Sequence, residues 1–309
     1  MLEVFAPDGI GEVAPGTDLA ALAAPHLRDG DVLVVTSKVV SKAEGRVVRA
    51  GREQAIRDET VRVVARRGPT SIVETRLGVV MAAAGVDASN VEPGWVVLLP
   101  VDPDASARRL REDLAASTGL NVAVVVSDTA GRAWRHGQTD LALGTAGLEP
   151  LESFAGATDS YGNPLAVTAP AVADEVAGIA EVASGKLGGR PLTVVRGLAD
   201  RVLPEGEHGP GARTLVREAG TDMFGFGSRE AVVAALAGRD QHVFGSPADA
   251  ADLLLALAEC GLAATSTATG VAVSADPADV RLAVLAFAFG WAVVPGLSAD
   301  TTTVLAPLS

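Results

Sequence analysis

The chain has 309 residues, 48% of them hydrophobic, enough to bury the cores of about two compact units. Its net charge of -13 excludes nonspecific attraction to nucleic acid or an anionic membrane, so any anionic ligand must meet a locally basic or metal-bearing pocket. One cysteine, Cys260, excludes an internal disulfide, and the dispersed His26, His136, His208 and His242 lack zinc-ligand spacing.

The N-terminal residues Met1–Phe5 have neither the basic nor the apolar region of a signal peptide, which predicts a cytoplasmic protein. Short Val-rich segments predict strands at Glu3–Phe5, Val32–Thr36, Leu77–Met81, Trp95–Leu99, Val122–Ser127, Leu192–Val195, Val271–Ser274 and Ala292–Val294. Amphipathic spacing predicts helices over Asp18–His26, Arg52–Arg66, Ala105–Ser117, Val172–Ser184 and Arg229–Ala237, with Thr17, Asp104 and Ser228 as N-caps. The apolar run Leu282–Leu297 is broken by Gly290, Pro295 and Gly296 and is too short for a bilayer, so it predicts a buried helix followed by a strand. The alternation predicts an α+β fold with mixed sheets. Glycines and prolines cluster between Leu198 and Ser228, and a small helix-strand-helix-strand appendage follows; the predicted division is 1–238 and 239–309.

Only three of the 25 basic residues are lysine, and all three lie in Gly/Ser-bearing segments. A compact ammonium suits phosphate oxygens. Four loops carry the candidate chemistry. Asp8-Gly9-Ile10-Gly11-Glu12-Val13 follows the first strand, where it fits a ligand loop and a plain turn equally. Ser37-Lys38-Val39-Val40-Ser41-Lys42 follows the next strand as a polar loop with two hydroxyls and two ammonium groups. In Asp87-Ala88-Ser89-Asn90, Asp87 suits a hard cation and also an Asx-turn. Ser127-Asp128-Thr129 ends the most apolar strand, a usual place for a carboxylate that holds a metal and phosphates. Arg132, Arg135, His136 and Gln138 continue it as a polar patch, whereas Asp159 fits a turn. Gly185-Lys186 is no phosphate-binding P-loop, because Leu187 replaces the hydroxyl residue and the pair ends a helix.

Taken in order, these motifs, together with Val172-Ala173-Asp174-Glu175 and Val195-Arg196-Gly197-Leu198, resemble the coenzyme F420-0:gamma-glutamyl ligase family from about Leu2 to Leu236. The resemblance implies an α+β ligase fold, a homodimer, and GTP-dependent addition of L-glutamate to coenzyme F420-0, a deazaflavin precursor, with further gamma-linked additions. It implies GTP contacts at Ile10, Gly11, Glu12, Val13, Ser37, Lys38, Lys42 and Asn90, and in the segment around Ser184–Pro191, with Ser184, Gly185 and Lys186. Asp87, Asp128 and Lys42 are implied as catalytic, with Asp87, Asp128 and Thr129 as ligands of two magnesium or manganese ions; a potassium ion is a further expectation. At Lys186 this chain departs from the family, where a metal-binding residue can stand, so an ammonium partly replaces that charge or the second metal position is absent. Arg132 and Arg135 are assigned to the anionic tail of the precursor. Too little chain follows residue 238 for the flavin-binding domain that some relatives carry. The rival functions are a metal-dependent nucleotide phosphohydrolase, which would hydrolyse GTP without glutamate, and a noncatalytic nucleotide or deazaflavin binder.

Overall fold

A computed structural model describes residues 1–294 and 302–308. The chain folds as one unit of Met1–Val63 with Ile72–Val216 and another of Val64–Ser71 with Arg217–Ser309. The break at Val216 falls inside the Gly/Pro-rich stretch Leu198–Ser228 and ahead of the division expected at residue 238, and the tip of one hairpin, residues 64–71, goes with the second unit.

In chain order the first part of the molecule forms β1 (Glu3–Phe5), α1 (Leu19–Ala23), β2 (Val32–Thr36), α2 (Ser37–Ala43), β3 (Val47–Arg49), α3 (Arg52–Glu59), β4 (Thr60–Arg67), β5 (Thr70–Thr75), β6 (Val80–Ala82) and β7 (Trp95–Val97). Then come α4 (Pro103–Thr118), β8 (Ala123–Gly131), β9 (Gln138–Ala146), α5 (Val172–Ser184) and β10 (Leu192–Arg196). Five strands make the central sheet in the order β1-β10-β2-β8-β9, and its one parallel pair is β2 with β8. This is the α+β class.

Alternation along each strand explains the layers. Leu33, Val35, Val124, Val126, Leu192 and Val194 pack with Leu110 and Leu114 of α4. Val32, Val34, Ala123, Val125 and Val195 face the other way, onto Val172, Val176 and Ala180 of α5. Because both faces are covered, the central strands read as unbroken apolar runs. Each buried Val or Leu contributes roughly 1.5–3 kcal/mol of burial.

Several expectations are corrected. The segment Arg52–Arg66 is a helix only to Glu59; from Thr60 the β-branched Thr60, Val61, Val63 and Val64 turn it into β4. Ser37–Ala43 is a short helix instead of a loop. The N-cap of α1 is Asp18, whose carboxylate accepts Ala21 N–H, while Thr17 accepts Ala14 N–H. For α4 it is Asp102, because Pro103 can open a helix. Asp104 instead accepts the N–H groups of Thr145, Ala212 and Arg213. Strand β9 has no counterpart among the expected strands: its Gly144 is required by close packing, since a Cβ there would lie 2.2 Å from the Pro103 carbonyl carbon.

The second unit contains α6 (Ser228–Ala237), preceded by Gly227 at the N-cap position in place of the expected Ser228. It continues with α7 (Ala250–Glu259), β11 (Ala264–Thr267), β12 (Gly270–Val273), α8 (Val280–Ala288), β13 (Trp291–Val293) and β14 (Thr303–Pro307). The four strands form an antiparallel sheet ordered β11-β12-β14-β13. Leu253, Leu257, Val271, Val273, Leu282 and Leu305 form its core. The apolar run from Leu282 is a helix and then a strand, as expected; its end, with Pro295 and Gly296, lies outside the described residues. No helix among the described residues is long and apolar enough to cross a membrane.

Candidate active site

The site lies at the C-terminal ends of the parallel neighbours β2 and β8, where open sheets containing parallel strands commonly bind ligands. Register fixes its geometry: Thr36 pairs with Ser127, so the chain leaving β2 as α2 starts beside Asp128. A bulge follows, because Val126 pairs with Gly144 while Ser127 pairs with Ala142. Beyond it the hairpin arms bring Thr129 opposite Asp140. Successive strand side chains face opposite ways, which sends Asp128 toward α2 and sends Ser127 and Thr129 toward Asp140 and α5.

Two consecutive residues of α2 reach the two expected carboxylates. Ser37, buried, hydrogen-bonds Asp128. Lys38 Nζ lies 2.5 Å from Asp87 Oδ2 and donates to Ser89 Oγ at 2.7 Å. One turn on, Lys42 Nζ donates to the Asn90 carbonyl at 2.9 Å and lies 3.8 Å from Glu12. The Lys42 side chain is only 12% exposed, which distinguishes it from a solvated surface lysine. The first three loops therefore meet along α2.

Electrostatics differ sharply between the two carboxylates. For Asp87 burial alone would raise the pKa, but the Lys38 ammonium and the N–H and hydroxyl of Ser89 hold it below the ordinary carboxylate range. The bond to Ser89 N–H is also the expected Asx-turn, so Asp87 serves both its local turn and the ion pair. Asp128 is pushed up to about 6, first by burial and further by the negative charges of Asp140 and Asp87, which the Thr129 N–H and Ser37 hydroxyl offset only in part. The mutual repulsion places Asp87 and Asp128 within one field. Surplus negative charge on two hard oxygen donors is chemistry that fits a divalent cation held between them.

On the other side of β8 a network without a sequence signature surrounds Thr129. Its hydroxyl donates to Asp140 Oδ1 at 2.6 Å and accepts from Lys186 Nζ at 2.6 Å. Lys186 is also paired with Glu181 of α5 and lies 3.7 Å from Asp140. Asp140, buried, accepts Ser127 Oγ–H at 2.9 Å, and its N–H donates to Glu181 at 3.1 Å. The oxygen donors around Thr129 thus already surround a resident ammonium. Among the described residues no group of three His, Cys, Asp or Glu side chains is arranged to hold a metal. The donor set fits one divalent cation at Asp87 and Asp128, with Lys186 supplying the charge on the Thr129 side.

The remaining expected residues are placed as follows. In the first loop Val13 is buried and Ile10 packs against the same core, so they anchor the loop and leave Gly11 and Glu12 facing outward. Asn90 has φ of +55°, a conformation asparagine tolerates, and it turns its carbonyl toward Lys42. The Ser184 hydroxyl bonds back to the Glu181 carbonyl of its own helix, while Gly185, at φ +65°, ends that helix and releases Lys186. Arg132 and Arg135 are exposed on the hairpin tip beyond the paired arms of β8 and β9; Arg132 donates to the His136 carbonyl at 3.2 Å. Arg190 belongs to the segment Ser184–Pro191 that the resemblance implies as a GTP contact. Its Nε is buried without a hydrogen-bond partner and lies 3.8 Å from Asp8 of the first loop, so an N–H donor is left over where that loop approaches. A separate cavity of about 690 Å³ opens on the opposite side of α2, among α1, α2 and α4, and holds neither Asp87 nor Asp128.

The model of the family described as F420-0:Gamma-glutamyl ligase matches residues 9–197, a span containing the four loops except Asp8 of the first. A protein of Archaeoglobus fulgidus named coenzyme F420:L-glutamate ligase is 40% identical over 220 residues, covering 64% of this chain and 88% of that protein. Its namesake from Methanopyrus kandleri is 38% identical over 237 residues, covering 69% and 93%. That of Halobacterium salinarum is 40% identical over 224 residues, covering 63% and 87%.

Proposed function

The chain belongs to the F420-0:gamma-glutamyl ligase family, and we propose that it joins the amino group of L-glutamate to a carboxylate of coenzyme F420-0 at the expense of GTP. The observation that carries this reading is the meeting of Lys38, Lys42, Asp87 and Asp128 at the ends of β2 and β8. An amide does not form from a free carboxylate and an amine without activation. The γ-phosphoryl group of GTP moves onto the acceptor carboxylate, GDP leaves, and the glutamate amine displaces phosphate from the acyl phosphate. Such transfer depends on positioning and on neutralising charge more than on a protein nucleophile.

Each group has a task in that sequence. Lys42, pinned by Asn90 and Glu12, presents its ammonium to the triphosphate, and the unpaired Arg190 Nε–H adds a second donor. Lys38 fixes Asp87, and Ser37 fixes Asp128. A magnesium or manganese ion bound by those two carboxylates supplies charge neutralisation for the phosphate oxygens. Lys186, steadied by Thr129, Asp140 and Glu181, supports the same charge from the far side of β8.

The direct test is to incubate the purified protein with GTP, manganese, L-glutamate and coenzyme F420-0 and to look by mass spectrometry for stepwise glutamyl additions. GTP hydrolysis at the same rate without glutamate and acceptor would instead make the protein a phosphohydrolase. Lys42→Ala is expected to raise the KM for GTP about tenfold or more, the worth of one charge-assisted hydrogen bond. Arg239→Ala, at an exposed position of the second unit, should leave it unchanged; equal effects would return Lys42 to a surface role.

A further inference from the structure

The β8–β9 hairpin carries site residues on its arms and ends in a feature that the chemistry above leaves unused. Arg135 N–H donates to the Arg132 carbonyl across 3.5 Å, closing a four-residue turn, and Trp134 sits third in that turn at φ +57°. A positive φ at this position calls for glycine or asparagine, and a bulky aromatic residue there is strained. Trp134 is nevertheless 79% exposed. Strain retained at an exposed aromatic side chain next to a site points to a ligand.

The arms set the distance. Thr129 pairs with Asp140 and Gly131 with Gln138, so the paired arms end two residues, roughly 7 Å, beyond Thr129 and the turn begins at the next residue, Arg132. Trp134, five residues along from Thr129, lies at most about 17 Å from it. The ring is flanked in sequence by Arg132 and Arg135, both exposed. A ligand with a flat polycyclic ring at one end, an anionic linker, and its reacting carboxylate at the other end matches that sequence of groups.

We propose that Trp134 is the stacking platform for the planar ring of the acceptor, with Arg132 and Arg135 holding the anionic linker that leads to the carboxylate at Asp87 and Asp128. This rests on the ligase reading above and names the residues of its acceptor subsite. Stacking on an aromatic face tolerates changes in the ring's substituents and is lost when the side chain is removed.

The test titrates coenzyme F420-0 into the wild type, Trp134→Gly and Trp134→Phe, following acceptor fluorescence anisotropy, with the KM values for acceptor and GTP measured in parallel. Trp134→Gly is expected to weaken acceptor binding about tenfold or more and to leave the KM for GTP unchanged. Trp134→Phe, which keeps an aromatic face, should keep most of the affinity. Acceptor binding equal to wild type in the glycine variant overturns the proposal. So does a parallel rise in the KM for GTP, or a binding loss accompanied by a change in sedimentation, which would make the tip a subunit contact. A wild type that binds the acceptor through Trp134 but transfers no glutamate overturns the ligase reading and leaves the platform standing. One that ligates while the variants bind equally does the reverse, and one that binds no acceptor overturns both.

Discussion

Asp128→Asn is expected to abolish ligation and at the same time to stabilise the cation-free protein at neutral pH. Loss of the charge removes one of two carboxylates proposed to hold the cation, and a deleted electrostatic group of this kind lowers turnover by roughly 10²–10³. The stability effect has the opposite sign because the folded-state pKa of Asp128 is raised, to about 6 from the ordinary value of 3.8. Below pH 4 the carboxyl is protonated in both the folded and unfolded states and contributes nothing. Between pH 4 and 6 the unfolded chain gives up its proton first, so the wild type loses stability as pH rises, and above pH 6 the penalty is constant. The difference between those two pKa values sets the penalty at about 3 kcal/mol as an upper figure. Thermal unfolding in the presence of a chelator should therefore give a higher Tm for Asp128→Asn at pH 7 and no difference at pH 4. Adding manganese should raise the wild-type Tm by mass action and leave the variant where it was. A variant less stable than wild type at pH 7, or one that ligates normally, contradicts the electrostatic account.

This opposition between stability and charge also explains which parts of the site are legible in the sequence. Asp87 and Asp128 directly follow apolar segments, Asp87 in a turn and Asp128 within β8, and polar residues there are conspicuous against the Val-rich background. Lys38 and Lys42 stand out because lysine is otherwise nearly absent. Asp140 and Glu181 give no such signal. Asp140 sits on β9, whose Gly144 and polar start disguise a strand, and its partners lie 11 and 41 residues away in sequence. Only the bulged register of β8 with β9 brings them together.

The same contrast holds for the fold. The strands β1, β2 and β10 and the helix α5 follow from unbroken apolar runs or clean helical spacing. Helix α2 does not, because Val39 and Val40 disfavour helix locally and it forms through the burial of Ser37, Val39, Val40 and Ser41. The β4–β5 hairpin is hidden by the charged residues that flank its β-branched ones, Arg62 and Arg66 among them. Its tip groups with the second unit, a long-range relation that composition along the chain cannot carry.

The largest loss of stability is expected from a residue far from the chemistry, Arg111 of α4. Arg111 is 3% exposed, and burial lowers its pKa against the opposing charge of Glu205, so it is a cation held in the interior with no ion pair among the described residues. Nε donates to the Val122 carbonyl at 2.8 Å, and Nη1 donates to the Glu207 carbonyl at 2.7 Å. Nη2 reaches the carbonyls of Leu203 and Pro204, both at 3.0 Å, and Asn121 Oδ1 at 2.7 Å. One guanidinium thereby ties the Gly/Pro-rich segment 203–208 to the sheet, and Gly147 has no side chain because a Cβ there would lie 2.3 Å from Arg111 Nε. Arg111→Met fills similar space yet strands several carbonyls, at a cost on the order of 3–5 kcal/mol. In a unit of this size that is a fall in Tm of about 10 °C. Arg111→Lys should recover little, since one ammonium has three donors on a different geometry from the five of the fork. This anchor lies at the end of β9 remote from Asp140, so the KM for GTP of the folded variant, measured well below its Tm, should match wild type. A Tm within 2–3 °C of wild type, corresponding to about 1 kcal/mol, would mean that water replaces the guanidinium and that the segment is held by its own backbone bonds, Gly147 N–H to His208 and Leu203 N–H to Gly147.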